Sequence, residues 1–141
     1  MQNTFSEKDV CCIGYAGTGK TFISLALSLQ ALASGEFEKI VIVRTCVPTR
    51  DIGFMPGDEA EKLSVYEKPY IVQVNQILGR GDAYCILKEK GFLEFSSSSF
   101  LRGLTIDNAI IIFDEMQNST IHEMNSIVTR RGKNCKLVLL G

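Results

Sequence analysis

Two short stretches of this 141-residue sequence hold residue types that can handle a phosphate. The first, Gly14-Tyr15-Ala16-Gly17-Thr18-Gly19-Lys20-Thr21, fits the spacing G-x-x-x-x-G-K-[ST] of a phosphate-binding loop. Its glycines let the backbone curl tightly and approach a ligand closely. Backbone N–H groups then turn inward around a phosphate, and the following helix aims its positive end at the same point. In that arrangement Lys20 reaches the β- and γ-phosphates, and the Thr21 hydroxyl ligates Mg2+. The second stretch is Asp114-Glu115 with Gln117, directly after the apolar run Ala109 to Phe113. Asp114 would hold Mg2+ opposite Thr21, directly or through water. Glu115 is placed to act as general base or to position the attacking water, and Gln117 to sense the γ-phosphate. Each stretch has a plain alternative: a Gly-rich strand-to-helix turn for the first, a helix-capping or solvated acidic pair for the second. Together in one chain they favour nucleotide binding. The carboxylate poised for water favours hydrolysis of ATP or GTP over transfer to an acceptor.

Both stretches need rigid elements behind them. Val10 to Gly14 reads as a short central strand leading into the loop. After it Phe22, Leu25, Ala26, Leu29 and Leu32 recur at helical spacing, with Gly35 as the C-terminal cap. Lys39 to Arg44 is a β-branched run of the kind covered on both faces of a sheet. These three elements make a β-α-β unit, which requires a parallel sheet. Thr45 to Asp58 reads as a long functional or flexible loop. Glu59 to Gly79 is predicted helical but interrupted at Pro69, because Lys68 before it is pushed away from helix. A short helix over Asp82 to Lys90, a weak strand over Phe92 to Phe95 and a solvated connector over Ser96 to Ser99 follow. Ala109 to Phe113 is a second buried strand. Thr120 with Glu123 forms a capping box for a helix that runs to Arg130 or Arg131 and stops at Gly132. Lys136 to Leu140 is a final apolar strand. The whole is one α/β domain with its chemistry at the carboxyl ends of the strands.

The bulk composition adds exclusions. A net charge of −1 and 22% charged residues give no global pull toward nucleic acid, so any such contact must be a local patch. No apolar run has the length of a membrane span, and the polar N-terminus is unlike a signal peptide, which makes the cytoplasm the expected compartment. Cys11, Cys12, Cys46, Cys85 and Cys135 form no C-x-x-C pair, so they read as small buried hydrophobes rather than a zinc site. The sequon at Asn118-Ser119-Thr120 is accidental on this reading, and the lone His122 is a surface residue in the first turn of its helix.

Further stretches extend the pattern beyond the phosphate loop. Arg44, Gly53-Phe54-Met55-Pro56-Gly57-Asp58, Arg102-Gly103-Leu104-Thr105, Asp114 to Asn118, and Thr129-Arg130 with Gly132 and Lys136 resemble the PhoH-like ATPases, a bacterial and phage family. The resemblance runs from about Cys11 to Gly141. It implies a three-layer RecA-like P-loop NTPase domain with a mainly parallel sheet, similar to the first motor domain of superfamily 1 helicases. It also implies that the last strand inserts between the phosphate-loop strand and the Asp-Glu strand. Single-stranded RNA is the implied partner, with Arg44 and Thr45 where such motors touch nucleic acid; a solvent-facing charge is the alternative for Arg44. Arg102 would contact phosphate or anchor its loop. The family usually has proline at Thr45, an apolar residue at Arg131, serine at Cys135 and a polar residue at Leu140. Its pattern continues past Gly141 and includes an upstream adenine-recognition segment, so residues 1–141 are expected to be one domain that is a fragment of something longer.

The leading expectation is therefore an ATP-binding, Mg2+-dependent ATPase coupled to RNA in a bacterial or host cytoplasm, with a homo-oligomer as one expected assembly. The main rival is a nucleotide-binding regulatory module without significant turnover; a P-loop kinase is a third reading. Arg130 and Arg131 are candidates for an arginine finger in cis or at an oligomer seam, against a simple helix-end role.

Overall fold

A computed structural model of the chain describes residues 9–15, 17–45, 59–98 and 105–141, with side chains given from residue 63 onward in the third segment. Five strands form one sheet: β1 (Val10–Cys12), β2 (Lys39–Arg44), β3 (Leu93–Ser97), β4 (Ala109–Asp114) and β5 (Lys136–Leu140). Their spatial order is β1-β5-β4-β2-β3, and every pairing is parallel. The helices are α1 (Lys20–Ala33), α2 (Glu59–Leu78), α3 (Ala83–Glu89) and α4 (Ile121–Arg130).

The β-branched runs of β2 and β4 lie side by side near the middle of the sheet, where alternate residues feed two cores. Ile40, Ile42, Ile110 and Ile112 join Leu25 and Leu29 of α1, Tyr70 and Val74 of α2, and Tyr84 of α3 on one face. Val41, Val43, Ile111 and Phe113 face the opposite way and meet Ile127 of α4. All eight of these strand residues are buried, each worth about 1.5–3 kcal/mol relative to exposure. The result is the three-layer α/β architecture expected, with β5 inserted between β1 and β4.

Several local expectations are corrected. The loop-bearing strand β1 is not central: among the described residues it pairs only with β5, and β5 and β4 separate it from β2. Its edge position leaves Cys11 exposed and Cys12 half-buried, and Cys85 on α3 is exposed too, so burial does not explain these thiols. Helix α2 passes through Pro69 without interruption. Proline costs a helix interior about 3 kcal/mol through a lost bond and a clash. Here the carbonyl it frees is that of Val65, on an exposed residue where water can serve it, while full burial of Tyr70 and Val74 holds the helix to the sheet. Ser96 and Ser97 belong to β3, and Ser97 and Ser98 are buried rather than forming a solvated connector. On α1 the buried face is Ser24, Leu25, Ser28, Leu29 and Ala31, which leaves Phe22 exposed. Ala16, Cys46, Gly53 to Asp58, Ser99 and Arg102 to Leu104 lie outside the described residues.

Candidate nucleotide site

β1 and β4 both end at the carboxyl edge of the sheet, and β5 between them ties their tips together. The Gly141 N–H donates to Cys12 O at 3.0 Å, and the Gly14 N–H donates to Gly141 O at 3.2 Å, so the loop starts from a fixed point. Gly17 and Gly19 then take φ of 81° and 82°. Any other L-residue in that left-handed region costs about 1–2 kcal/mol. Gly19 is also the N-cap of α1, which has no side-chain cap and no acidic residue in its first turn. The orphan N–H groups of that helix end therefore keep their partial positive charge for an anion.

The Lys20 ammonium donates to Gly14 O at 2.6 Å and Tyr15 O at 3.1 Å, which leaves one N–H for a ligand. Thr18 Oγ1 donates to Tyr15 O at 2.9 Å and closes the turn. The six-residue β4 ends at Asp114 and brings the acidic pair opposite. Asp114 is buried, and its Oδ2 accepts from Thr21 Oγ1 at 3.1 Å, so the two expected metal ligands are adjacent. Its Oδ1 accepts from the Glu115 N–H at 2.9 Å. Glu115 itself sits at φ 57° and ψ 39°, a left-handed conformation that swings its side chain out of the strand line. Its Oε2 accepts from Gln117 Nε2 at 2.7 Å, so the two side chains act as a pair.

These groups line one cavity of about 380 Å³: Gly14, Gly17 to Thr21, Asp114, Glu115, Gln117 and Gly141, with Phe22 and Gln73. A hydroxyl and a carboxylate are hard oxygen donors of the sort Mg2+ takes, and Mg2+ is usually shared with substrate phosphates rather than caged by protein. No cluster of three or more His, Cys, Asp or Glu capable of holding a metal occurs among the described residues.

Two features of the site escape a linear reading. Tyr70 of α2, 1% exposed, donates its hydroxyl to Asp114 Oδ2 at 2.6 Å. Burial, followed by the adjoining Asp114 carboxylate, pushes its phenol well above the ordinary range and keeps it a donor. Gln73, one turn on, lines the same cavity. The signal was the spacing of Tyr66, Tyr70, Val74 and Ile77, which lies on one face once the helix is continued through Pro69.

Other candidates fall elsewhere. Arg44 is half-buried at the end of β2 with its guanidinium 5.1 Å from the Tyr66 ring centroid, so it is not the solvent-facing charge considered as an alternative. Leu140 is fully buried in the core and offers the cavity no polar atom. α4 carries its C-terminus back to the far edge of the sheet, where Ile106 N donates to Arg130 O at 2.8 Å and Arg131 pairs with Asp9. That is one β4 length, on the order of 20 Å, from the cavity, beyond an arginine's reach in cis. His122 is exposed in the first turn of α4, as expected.

A family model described as PhoH-like protein matches residues 1–141. The PhoH-like protein of Bacillus subtilis (strain 168) is 37% identical over 130 residues, covering 92% of this chain and 40% of that protein. Protein PhoH of Escherichia coli (strain K12) is 36% identical over 138 residues, covering 96% and 39%. The PhoH-like protein of Synechocystis sp. is 34% identical over 131 residues, covering 92% and 40%. The chain thus spans about two fifths of the length of these relatives, and what it spans includes the whole loop-and-carboxylate cavity. With a family match over every residue and the phosphate loop set against a strand-end Asp-Glu, the chain belongs to the PhoH-like family, which is generally one of P-loop ATPases.

Proposed function

We propose that this chain binds ATP with Mg2+ and hydrolyses its β–γ phosphoanhydride, with turnover coupled to single-stranded RNA. The observation that carries the reading is the contact of Thr21 Oγ1 with Asp114 Oδ2 at 3.1 Å, which joins the loop helix to the acidic strand end. Thr21 and Asp114 are the groups that would hold Mg2+, which when bound supplies charge neutralisation between the β- and γ-phosphates. The N–H groups of Gly17, Gly19 and Lys20, within the run Gly14 to Thr21 that includes Ala16, cradle the phosphates. The free N–H of Lys20 points charge at the oxygen that becomes more negative as the bond breaks. Glu115 accepts a proton from, or orients, the attacking water, and Gln117 holds that carboxylate in place while reporting on the γ-phosphate.

RNA coupling rests on the family resemblance and on the cationic β2 end, where Arg44 is stacked on Tyr66. An arginine for fast turnover would come from another subunit or a further part of the protein, since Arg130 and Arg131 lie at the opposite edge of the sheet. We read 1–141 as one domain of a longer cytoplasmic protein. No helix among the described residues is long and apolar enough to cross a membrane. A switch without turnover is the second reading, favoured by the engagement of the Glu115 carboxylate with Gln117.

Phosphate release measured with and without Mg2+ and single-stranded RNA separates the two. The ATPase reading expects Mg2+-dependent release that RNA accelerates, and Glu115→Gln to retain nucleotide binding while losing turnover by about 100-fold or more. Nucleotide binding without release under any condition would establish the switch. Full turnover in Glu115→Gln would remove Glu115 from the mechanism.

A further inference from the structure

The cavity has a wall supplied by neither the phosphate loop nor the β4 tip. Helix α2 lays Gln73 against it and sets Tyr70, three residues earlier and so on the same face, behind Asp114. Asp114 Oδ2 already receives two donors, Tyr70 OH at 2.6 Å and Thr21 Oγ1 at 3.1 Å, and Oδ1 receives the Glu115 N–H at 2.9 Å. A carboxylate offers about four lone-pair positions, and three are filled here. Direct coordination through Oδ2 would require it to release one of its donors. The position left open is on Oδ1, where a metal-bound water can donate without displacing any of the three. Gln73 Oε1 adds an independent sign: it is buried at the cavity wall and has no hydrogen-bond partner among the described residues. A buried amide oxygen left without a donor is costly, and native structures seldom keep one unless a ligand or water completes it. Mg2+ gives up its waters reluctantly, so its hydration shell is a ready set of donors for two such acceptors.

We propose that Tyr70 is a positioning residue that fixes Asp114 to receive Mg2+ through water, and that Gln73 Oε1 is a second acceptor for the same water shell. The assignment rests on the nucleotide-site reading above and specifies how that site holds its metal. Tyr70 acts only through Asp114, whereas Gln73 faces the cavity itself. Thr21 is left as the direct protein ligand.

The test is the coupling between Mg2+ and nucleotide, read on the 141-residue chain with a fluorescent ATP analogue. The dissociation constant is measured in EDTA and in saturating Mg2+ for the wild type, Tyr70→Phe and Gln73→Leu, with a thermal melt of each. Both variants should keep the EDTA affinity within about twofold and lose roughly tenfold of the Mg2+-dependent gain, the usual cost of removing a group that orients a metal ligand. A merely structural role for Tyr70 would lower the melting temperature and leave that gain intact, which would overturn the assignment of Tyr70. Gln73→Leu with an undiminished gain would overturn the assignment of Gln73 whatever Tyr70→Phe does. A wild-type chain that binds the analogue in neither condition would refute the nucleotide reading itself and this assignment with it.

Discussion

Replacing Asp114 by Ala and by Asn separates its two jobs, acceptor and charge. Both substitutions remove the negative charge, so the difference between them reports the hydrogen bonds alone. In Asp114→Asn the amide oxygen can take the Glu115 N–H, and the NH2 group can face Tyr70 and Thr21, whose hydroxyls can rotate to accept. In Asp114→Ala all three donors lose their acceptor. Thr21 and Glu115 are only half-buried and can turn to water, but the Tyr70 hydroxyl is held in a 1% exposed side chain. A stranded buried hydroxyl costs about 1–3 kcal/mol. Unfolding entropy near 2.1 cal/mol/K per residue amounts to about 0.3 kcal/mol per degree for this chain, so a 2 kcal/mol difference is about 7 °C in Tm. Asp114→Ala should therefore melt about 7 °C below Asp114→Asn by circular dichroism. Adding Tyr70→Phe to Asp114→Ala removes the stranded donor and should recover about 1 kcal/mol or more of that loss. Melting of the Ala and Asn variants within about one degree of each other would refute the account of Asp114 as the obligatory partner of Tyr70.

Other perturbations address the frame behind the site. A Cβ at Gly132 would lie 2.7 Å from the Ile106 carbonyl oxygen and 1.8 Å from Asp107 Oδ1. The aspartate can rotate, but the carbonyl is held by the Gly132 N–H itself at 2.7 Å, so Gly132→Ala should cost about 2–3 kcal/mol in a urea titration. Burial pushes the Lys136 ammonium below its ordinary range, with Asp9 opposing. Its folded pKa thus lies under the unfolded one, and the penalty on the charged form is present at neutral pH and eases as pH rises through the folded value. The urea midpoint of the wild type should therefore gain on Lys136→Met as pH approaches the ordinary 10.5, and parallel profiles would exclude the effect.

Much of this was legible in the sequence because it depends on local spacing. β4 and β5 declare themselves as apolar runs, and the Thr120–Glu123 capping box appears in the structure with both of its bonds, at 2.9 and 3.1 Å. The phosphate loop and the acidic pair are local patterns, and their meeting at Thr21 and Asp114 follows once both strands are parallel. What stayed hidden depends on neighbours in space. Whether β1 is central or at an edge is set by which strands flank it, and nothing in Val10 to Cys12 encodes that. Pro69 is a helix breaker by local rules, but burial of Tyr70 and Val74 outweighs its cost. A break there would erase the helical face that brings Tyr70 to Asp114 and Gln73 to the cavity. The same holds for the cysteines: an apolar neighbourhood in sequence does not guarantee burial, and Cys11 and Cys85 are exposed.

The insertion of β5 between β1 and β4 also sets a schedule for folding. The partner of the loop-bearing strand is among the last residues described: the Leu137 N–H bonds to the side chain of Asp9, 128 residues earlier in sequence. Closing so long a segment is entropically costly and is repaid only when the distant pairing forms, which makes such contacts slow. During synthesis β2 and α1 emerge early, yet the loop between β1 and α1 has no fixed starting point until β5 docks and Gly141 takes up Gly14. The phosphate cradle thus cannot be completed before β5 is in place. A nucleotide that binds only the finished cradle would select chains in which β5 has docked.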